Sequence, residues 1–330
     1  MIRLEVNTNQ KYDILLGHNI ISNLKDYVDK NKQILIIMDD NIPVRYMESI
    51  KNSLDNNIYS FVIRHGENNK SFSNYQNILN YLLDLNFTRD DMIINLGGGV
   101  VSDLGGFIAS TYKRGIKYIN IPTTTLSMVD SSIGGKVAIN YSGYKNVVGS
   151  FYEPYLVIID IELLKTLDER NYYNGLVEAL KMSLLDSKDF FELFKDLHQN
   201  LDDIIYKSLM FKKRIIEEDE KDLGIRRILN FGHTLGHAIE AKYINKIYHG
   251  EAVGYGMLPF IDNLNLRSKV QTILQKMNIN IDEARYHNLK EYIKQDKKNN
   301  FEKDKLYVNV IKLKDIGNPY IEKIDIEQFN

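Results

Sequence analysis

The sequence predicts an α/β domain over residues 1–160 followed by a mainly α-helical domain over residues 161–330. Three observations carry that reading. Short apolar runs of buried-strand length alternate with helix-like stretches in the first half. Strand signals nearly cease after Asp160. The chain has 330 residues, more than one ordinary core serves, so two domains are the default.

Ile2 to Val6 and Tyr12 to Leu16 read as two short strands. Gln33 to Met38 is an almost continuous apolar run of buried-strand length. Asp39-Asp40-Asn41 ends it, and Pro43 suits the first turn of a helix. Tyr59 to Ile63, Met92 to Leu96 and Lys117 to Ile121 are further strands, with a helix from about Ser73 to Leu85. Strands separated by helices imply parallel β/α units. From Ile161 to Lys294 helical periodicity dominates, as in Asn174 to Leu185 and Leu201 to Glu220; Leu306 to Ile311 is a late strand.

Composition narrows the function. The apolar and charged fractions, 44% and 26%, are those of a globular protein. A net charge of -2 gives nucleic acid no bulk attraction. The absence of cysteine excludes disulfides, thiolate metal sites and cysteine nucleophiles, and fits a reducing compartment. Glu5 falls where a signal peptide needs an apolar run, and no uninterrupted apolar stretch reaches the ~18 residues of a spanning helix. The expectation is a cytoplasmic protein without nucleic-acid or membrane partners.

Gly97-Gly98-Gly99-Val100-Val101-Ser102-Asp103 follows a strand and opens a helix. Such a turn lets backbone amides approach a phosphate, or serves only as a tight turn. Asp39 and Asn41, just beyond an earlier strand, suit either a ribose contact or a helix cap. Asp130-Ser-Ser-Ile-Gly-Gly-Lys136 combines a carboxylate, hydroxyls and a lysine without periodicity, which is loop chemistry. With Lys145 and Asn146, Lys136 forms a possible phosphate grip, and Arg114 and Arg226 are further cations for an anion.

His233 and His237 are four apart in a helical segment and share one face. They form a metal clamp, one ligand beside one acid/base group, or a structural pair. His249 precedes Gly250 and Glu251. Glu178 stands among apolar residues, where a carboxylate must ligate a cation or pair with a neighbour such as Lys181. Spacing does not choose among these alternatives.

Together these segments resemble the 3-dehydroquinate synthase family, within the wider sugar-phosphate cyclases. The resemblance covers nearly the whole chain and is strongest from Asn95 to Met257. Gly97 to Asp103, Pro122-Thr-Thr, Asp130 to Lys136, Lys145 to Gly149, Glu178 to Lys181, Asn230 to Glu240 and His249-Gly-Glu251 carry it. It implies a Rossmann-like NAD-binding domain, a helical metal-binding domain, zinc (with cobalt accepted by some members) and a homodimer. By position Glu178, His233 and His249 match the metal ligands, whereas His237 matches a group that aids proton transfer. Asp39, Asn41, Glu67, Lys70, Gly99, Val100, Val101, Ser102, Asp103, Thr123, Thr124 and Thr166 match NAD contacts, to which Lys136 and Lys145 are added. Lys136, Lys145, Asn146, Asp130, Lys181, Lys212, Arg226 and Asn230 match substrate contacts. Arg114 matches an arginine that reaches the partner subunit's phosphate site, and one of Lys297 and Lys298 matches a further substrate contact.

The implied substrate is a phosphorylated sugar acid, 3-deoxy-D-arabino-heptulosonate 7-phosphate, converted to 3-dehydroquinate and phosphate in the shikimate pathway. The implied route is transient oxidation by NAD, phosphate elimination, re-reduction and an intramolecular aldol closure. Ser102 and Asp222 depart from the family's usual glycine and glutamate. The rivals are another sugar-phosphate cyclase, a metal-dependent alcohol dehydrogenase, and a catalytically silent binding protein.

Overall fold

The computed structural model describes residues 1–244, 246–294, 299–302 and 305–329. The chain divides into two compact units, Met1–Asp168 and Glu169–Asn330.

Unit 1 contains β1 (Ile2–Val6), β2 (Tyr12–Gly17), β3 (Ile34–Asp39), α1 (Val44–Ser53), β4 (Ile58–Ile63), α2 (Phe72–Asp84), β5 (Met92–Gly97), α3 (Gly99–Thr111), β6 (Lys117–Pro122), β7 (Lys136–Tyr141), β8 (Tyr144–Phe151) and β9 (Leu156–Asp160). Seven strands form one sheet in the order β1-β2-β9-β6-β5-β3-β4. All neighbours are parallel except β1 and β2. Every residue of β5 and β9 is buried, which explains their unbroken apolar runs. Leu35, Ile37 and Ile93 of the sheet pack with Leu104, Ile108 and Phe107 of α3 and with Ile78 and Leu82 of α2.

The chain passes from β3 outward to β4, then returns across β3 to β5 and continues the other way. The strand order therefore reverses between β3 and β5, where Met38 lies beside Leu96. In open α/β sheets a ligand crevice lies outside the carboxyl ends of strands at such a reversal. Asp39 and the glycine turn stand at those two ends.

Two features differ from the expectation. Lys136 belongs to a strand rather than a loop, because β7 and β8 form an antiparallel hairpin. Val137 and Ile139 are its buried face, and a Cβ on Gly106 of α3 would lie 2.4 Å from Val137 Cγ1, so α3 and β7 approach without a side chain between them. Pro43 occupies the cap position ahead of α1 rather than its first turn.

Unit 2 contains α4 (Glu169–Asp186), α5 (Lys188–Glu192), α6 (Leu201–Glu218), α7 (His233–Lys242), α8 (His249–Met257), α9 (Leu264–Lys276), α10 (Lys290–Lys294), β10 (Asn299–Glu302), β11 (Lys305–Leu313) and β12 (Pro319–Asp325). The three strands form an antiparallel sheet, of which the sequence reading found only β11. Residues Tyr173–Leu185 of α4 are all buried. A helix without a solvent face lies at the centre of its unit, here beside α6 and α8. Among the described residues no helix is long and apolar enough to cross a membrane.

Candidate active site

Glu178 lies in the middle of α4 and is fully buried. Its two neighbours in the cluster each begin a helix. His233 opens α7 after Gly232, whose φ of 79° is left-handed. His249 opens α8. One ligand atom from each of Glu178, His233 and His249 lies within 4.8 Å of the others. His249 Nε2 is 3.5 Å from Glu178 Oε1, and His233 Nε2 is 3.9 Å from the same oxygen.

The outer ring nitrogens settle which imidazole atoms face this point. His233 Nδ1 is 3.2 Å from the Phe231 carbonyl, which can only accept, so Nδ1 carries the proton. His249 Nδ1 is 3.0 Å from Glu240 Oε2, with the same consequence. Each Nε2 thus faces the carboxylate, the placement found in metal-ligating histidines, and on His249 a cation would replace the proton shared with Glu178. Both Glu178 oxygens are buried without a well-formed hydrogen bond. That is costly unless a cation compensates. The two Nε2 atoms and the carboxylate suit a divalent ion with room for a further ligand.

Burial opposes ionisation of Glu178, but the Lys181 ammonium against Oε2 together with His249 and His233 outweighs it and holds the carboxyl well below its usual range. Burial, reinforced by the Lys181 charge, keeps the His233 imidazole neutral. Burial also opposes charge on His249, yet Glu178 and Glu240 together push it up to about 9. The ion pair with Lys181 and the ligand arrangement are therefore both present. His237 stands apart from the three-atom group, its ring centroid 5.1 Å from that of His233 and 5.9 Å from that of His249.

Local contacts fix where His249 sits. Gly250 N donates to Asn174 Oδ1 at 2.6 Å, one turn before Glu178 on α4. A Cβ on Gly250 would lie 1.9 Å from the Asn174 carbonyl oxygen, so only glycine permits this approach. Arg170 donates to both Glu251 oxygens, at 2.6 and 2.8 Å, and Glu251 accepts from Tyr248 N at 3.0 Å. The start of α8 is thereby tied to the start of α4.

Lys181, Lys212 and Arg226 are buried cations on adjoining elements: α4, α6 and the short turn Ile225–Asn230. Arg226 Nη1 donates to the Glu220 carbonyl at 2.7 Å. Asn230 donates to the Arg227 carbonyl at 3.1 Å. Lys297 and Lys298 lie outside the described residues.

In unit 1, Gly98 caps α3 and accepts from Val101 and Ser102 amides. A Cβ on Gly97 would lie 2.6 Å from the Val101 side chain, so the turn needs glycine there for packing. Ser102 is buried and bonds back to the Gly99 carbonyl at 3.2 Å, which accommodates it where glycine is usual. Asp39 accepts from Asn41 N at 3.0 Å, and burial raises its carboxyl above the ordinary value. Thr124 exchanges hydrogen bonds with Ser127 at the next turn, and Thr123 N donates to the Gly97 carbonyl. Thr166 Oγ1 is 3.0 Å from the Tyr46 hydroxyl. Asp130 sits in the helical turn Ser127–Ser131. Arg114 is exposed and has a left-handed φ of 66°.

Lys70 is buried and donates to Asp103 Oδ2 at 2.9 Å and to Asn146 Oδ1 at 2.5 Å, with Glu67 Oε1 at 3.4 Å. Four residues expected at separate ligand contacts thus form one network. Lys136 is not part of the same end of the hairpin, for it pairs opposite Phe151 while Lys145 and Asn146 adjoin the turn.

The sequence reading passed over Asn174 and Glu240. Glu240 could have been found, since it follows His233 by seven residues and falls on the same helical face. Asn174 carried no signal of its own.

Comparison with known proteins joins these observations. The family model for the 3-dehydroquinate synthase N-terminal region matches residues 60–174, and that for its C-terminal region matches residues 175–299. The 3-dehydroquinate synthase of Clostridium perfringens (strain 13 / Type A) is 43% identical, with 99% of each chain covered. That of Clostridium botulinum (strain Alaska E43 / Type E3) is 40% identical, with 100% of each covered. Among solved structures, 2-deoxy-scyllo-inosose synthase complexed with carbaglucose-6-phosphate, NAD+ and Co2+ superposes with a TM-score of 0.88 at 24% identity, covering 99% of this chain and 98% of that one. With both family regions matched in order and full-length relatives at this identity, the chain belongs to the 3-dehydroquinate synthase family.

Proposed function

We propose that this chain converts 3-deoxy-D-arabino-heptulosonate 7-phosphate to 3-dehydroquinate and phosphate, with NAD and one divalent cation, zinc by expectation. The observation that carries the reading is the Glu178, His233 and His249 group, whose two Nε2 atoms face a buried carboxylate. When bound, NAD takes and returns a hydride at C5 while the cation polarises the oxygen there, so there is no net redox change.

The chain's own residues hold and orient. Glu178, His233 and His249 hold the cation. Asp39, the α3 amides from Gly99 to Asp103, Glu67 and Lys70 hold the dinucleotide, with Asn41, Thr123, Thr124, Lys145 and Thr166 beside it. Asn146 grips the phosphate that leaves, Lys136 adds positive charge from the other end of the hairpin, and Asp130 and Asn230 orient the sugar. Arg226 and Lys212, with Lys181 near the metal, supply buried positive charge for the carboxylate end. This favours a carboxylate-bearing substrate over the sugar phosphates without a carboxylate that other cyclases take. His237, beside the ligand pair but outside it, moves a proton at its ring nitrogen.

We read the protein as a cytoplasmic homodimer. The support is the hairpin: among the described residues β8 pairs with β7 alone, and Tyr144, Val147, Val148 and Phe151 along it are exposed. An apolar edge strand of this kind invites pairing with a second copy. In that dimer Arg114 serves the partner's phosphate site.

The test is incubation with the heptulosonate phosphate, NAD and zinc, following phosphate release and dehydroquinate absorbance together. Phosphate and dehydroquinate without net NADH support the synthase. Accumulating NADH identifies a dehydrogenase, and no turnover of this substrate overturns the reading.

A further inference from the structure

Asn140 was not among the residues expected to matter, and its surroundings are unusual for a strand residue. The ladder between β7 and β8 runs in register from Lys136 to Ile139 and slips before Tyr141. Asn140 occupies that irregularity. The extra residues lie on β8, where Lys145, Asn146 and Val147 stand against Asn140 alone, and the residue opposite a bulge is left out of the register. Here the freed backbone N donates to the Lys70 carbonyl at 2.8 Å.

The side chain then uses both ends. Asn140 Nδ2 donates to Glu67 Oε1 at 2.8 Å and to the Glu67 carbonyl at 3.2 Å. Asn140 Oδ1 accepts from the Asn146 backbone N at 3.0 Å. Asn146 itself has a left-handed φ of 54°, a conformation that needs support in a residue with a Cβ. Its side-chain oxygen meets Lys70, so the loop at Glu67–Lys70 and the hairpin at Asn146 are joined twice.

We infer that Asn140 is a positioning residue that couples the Glu67–Lys70 loop to Asn146, so that the dinucleotide-binding and phosphate-gripping groups are set where β8 bulges opposite Asn140. The inference rests on the proposed roles of Glu67, Lys70 and Asn146. Only an amide of this length serves both sides. It must donate towards two oxygens of Glu67 and accept from an amide on the other side. An aspartate keeps the acceptor for Asn146 but sets a negative oxygen against Glu67. An alanine removes both connections.

This asymmetry supplies the test. NAD binding is measured by calorimetry without substrate, and KM for the heptulosonate phosphate is measured at saturating NAD. Asn140→Asp weakens NAD binding by about tenfold or more while the substrate KM stays within about twofold, the scale of one or two lost hydrogen bonds on one side only. Asn140→Ala raises both. A purely structural role lowers the melting temperature and leaves NAD affinity per folded molecule unchanged, and that result overturns the inference. If Asn140→Asp does not fold, Asn140→Ala decides: unchanged NAD affinity and KM in the folded variant overturn it. A wild-type chain that binds no NAD instead overturns the assignment of Glu67 and Lys70, a different failure.

Discussion

The metal group and the glycine turn are built in opposite ways. The metal group draws three side chains from three helices, at positions 178, 233 and 249, into the interior of unit 2. The glycine turn uses consecutive residues, and what it offers is backbone at the start of α3. A cation must be met by particular atoms at particular distances, so each ligand needs its own support. Glu240 and the Phe231 carbonyl fix the imidazoles, and Asn174 and Arg170 hold the start of α8. A phosphate can be met by amides already ordered by the helix. The first construction should therefore fail at single side chains, and the second should tolerate side-chain change while resisting added bulk. Ser102 already illustrates that tolerance, because its hydroxyl folds back on Gly99.

The largest expected effect is at a ligand. His249→Ala should abolish metal binding and turnover, and near-normal zinc content in the purified variant would remove His249 from the ligand set. Next comes His237→Ala, which should keep stoichiometric metal and lose about 10²–10⁴-fold in kcat, the usual range for a proton-transfer group. Loss of metal in that variant would return the two helical histidines to a joint clamp. Glu240→Gln should weaken metal binding by about 10–100-fold, as for other partners of ligating histidines, read by competition with a chelator. Unaltered affinity would mean that helix packing alone orients the His249 ring.

The smallest effect concerns stability and spares both sites. Asp91 lies just before β5, at the opposite strand end from the glycine turn, and is buried. Burial opposes its charge, but it accepts from Thr88 N at 2.6 Å, Thr88 Oγ1 at 2.8 Å and Gln33 N at 2.8 Å, and its value is lowered. A depressed carboxyl stabilises the fold above its unfolded value of about 3.9, and that contribution is lost as pH falls through the folded value. Asp91→Asn should cost about 1–3 kcal/mol in denaturant unfolding at neutral pH and flatten the acid limb. NAD affinity should not change. A variant that folds normally but binds NAD poorly would show that the two ends of the sheet are not independent.

Much of the architecture was legible because burial imposes a period. Met92 to Leu96 could be read as a strand since both faces of β5 are covered, and Leu201 to Glu220 as a helix since one face of α6 is. The hairpin was missed for the converse reason. All eight residues of β8 are exposed, so no alternation marks Tyr144–Phe151, and the glycines before Lys136 read as a loop. In the sheet of β10, β11 and β12 only the most apolar strand was read, and β12 buries only Ile324, too little to set a period.

The sequence by itself determined the family, the α/β-then-helical order, and the residue types a metal and a dinucleotide require. It also held the glycines at 97 and 250, whose necessity is steric and local. Spacing could not decide between the histidines of α7; the family resemblance favoured His233, and only the tertiary structure supplies the distances behind that choice. Residues 233 and 237 share a helical face, and nothing in their spacing tells which one meets Glu178, 55 residues upstream of His233 in sequence and 3.9 Å away in space. The same holds for Asn140, whose proposed role arises where the β7–β8 register shifts by two residues. Ligation and positioning are distances between atoms far apart along the chain, and a linear pattern records which groups are present but not which of them meet.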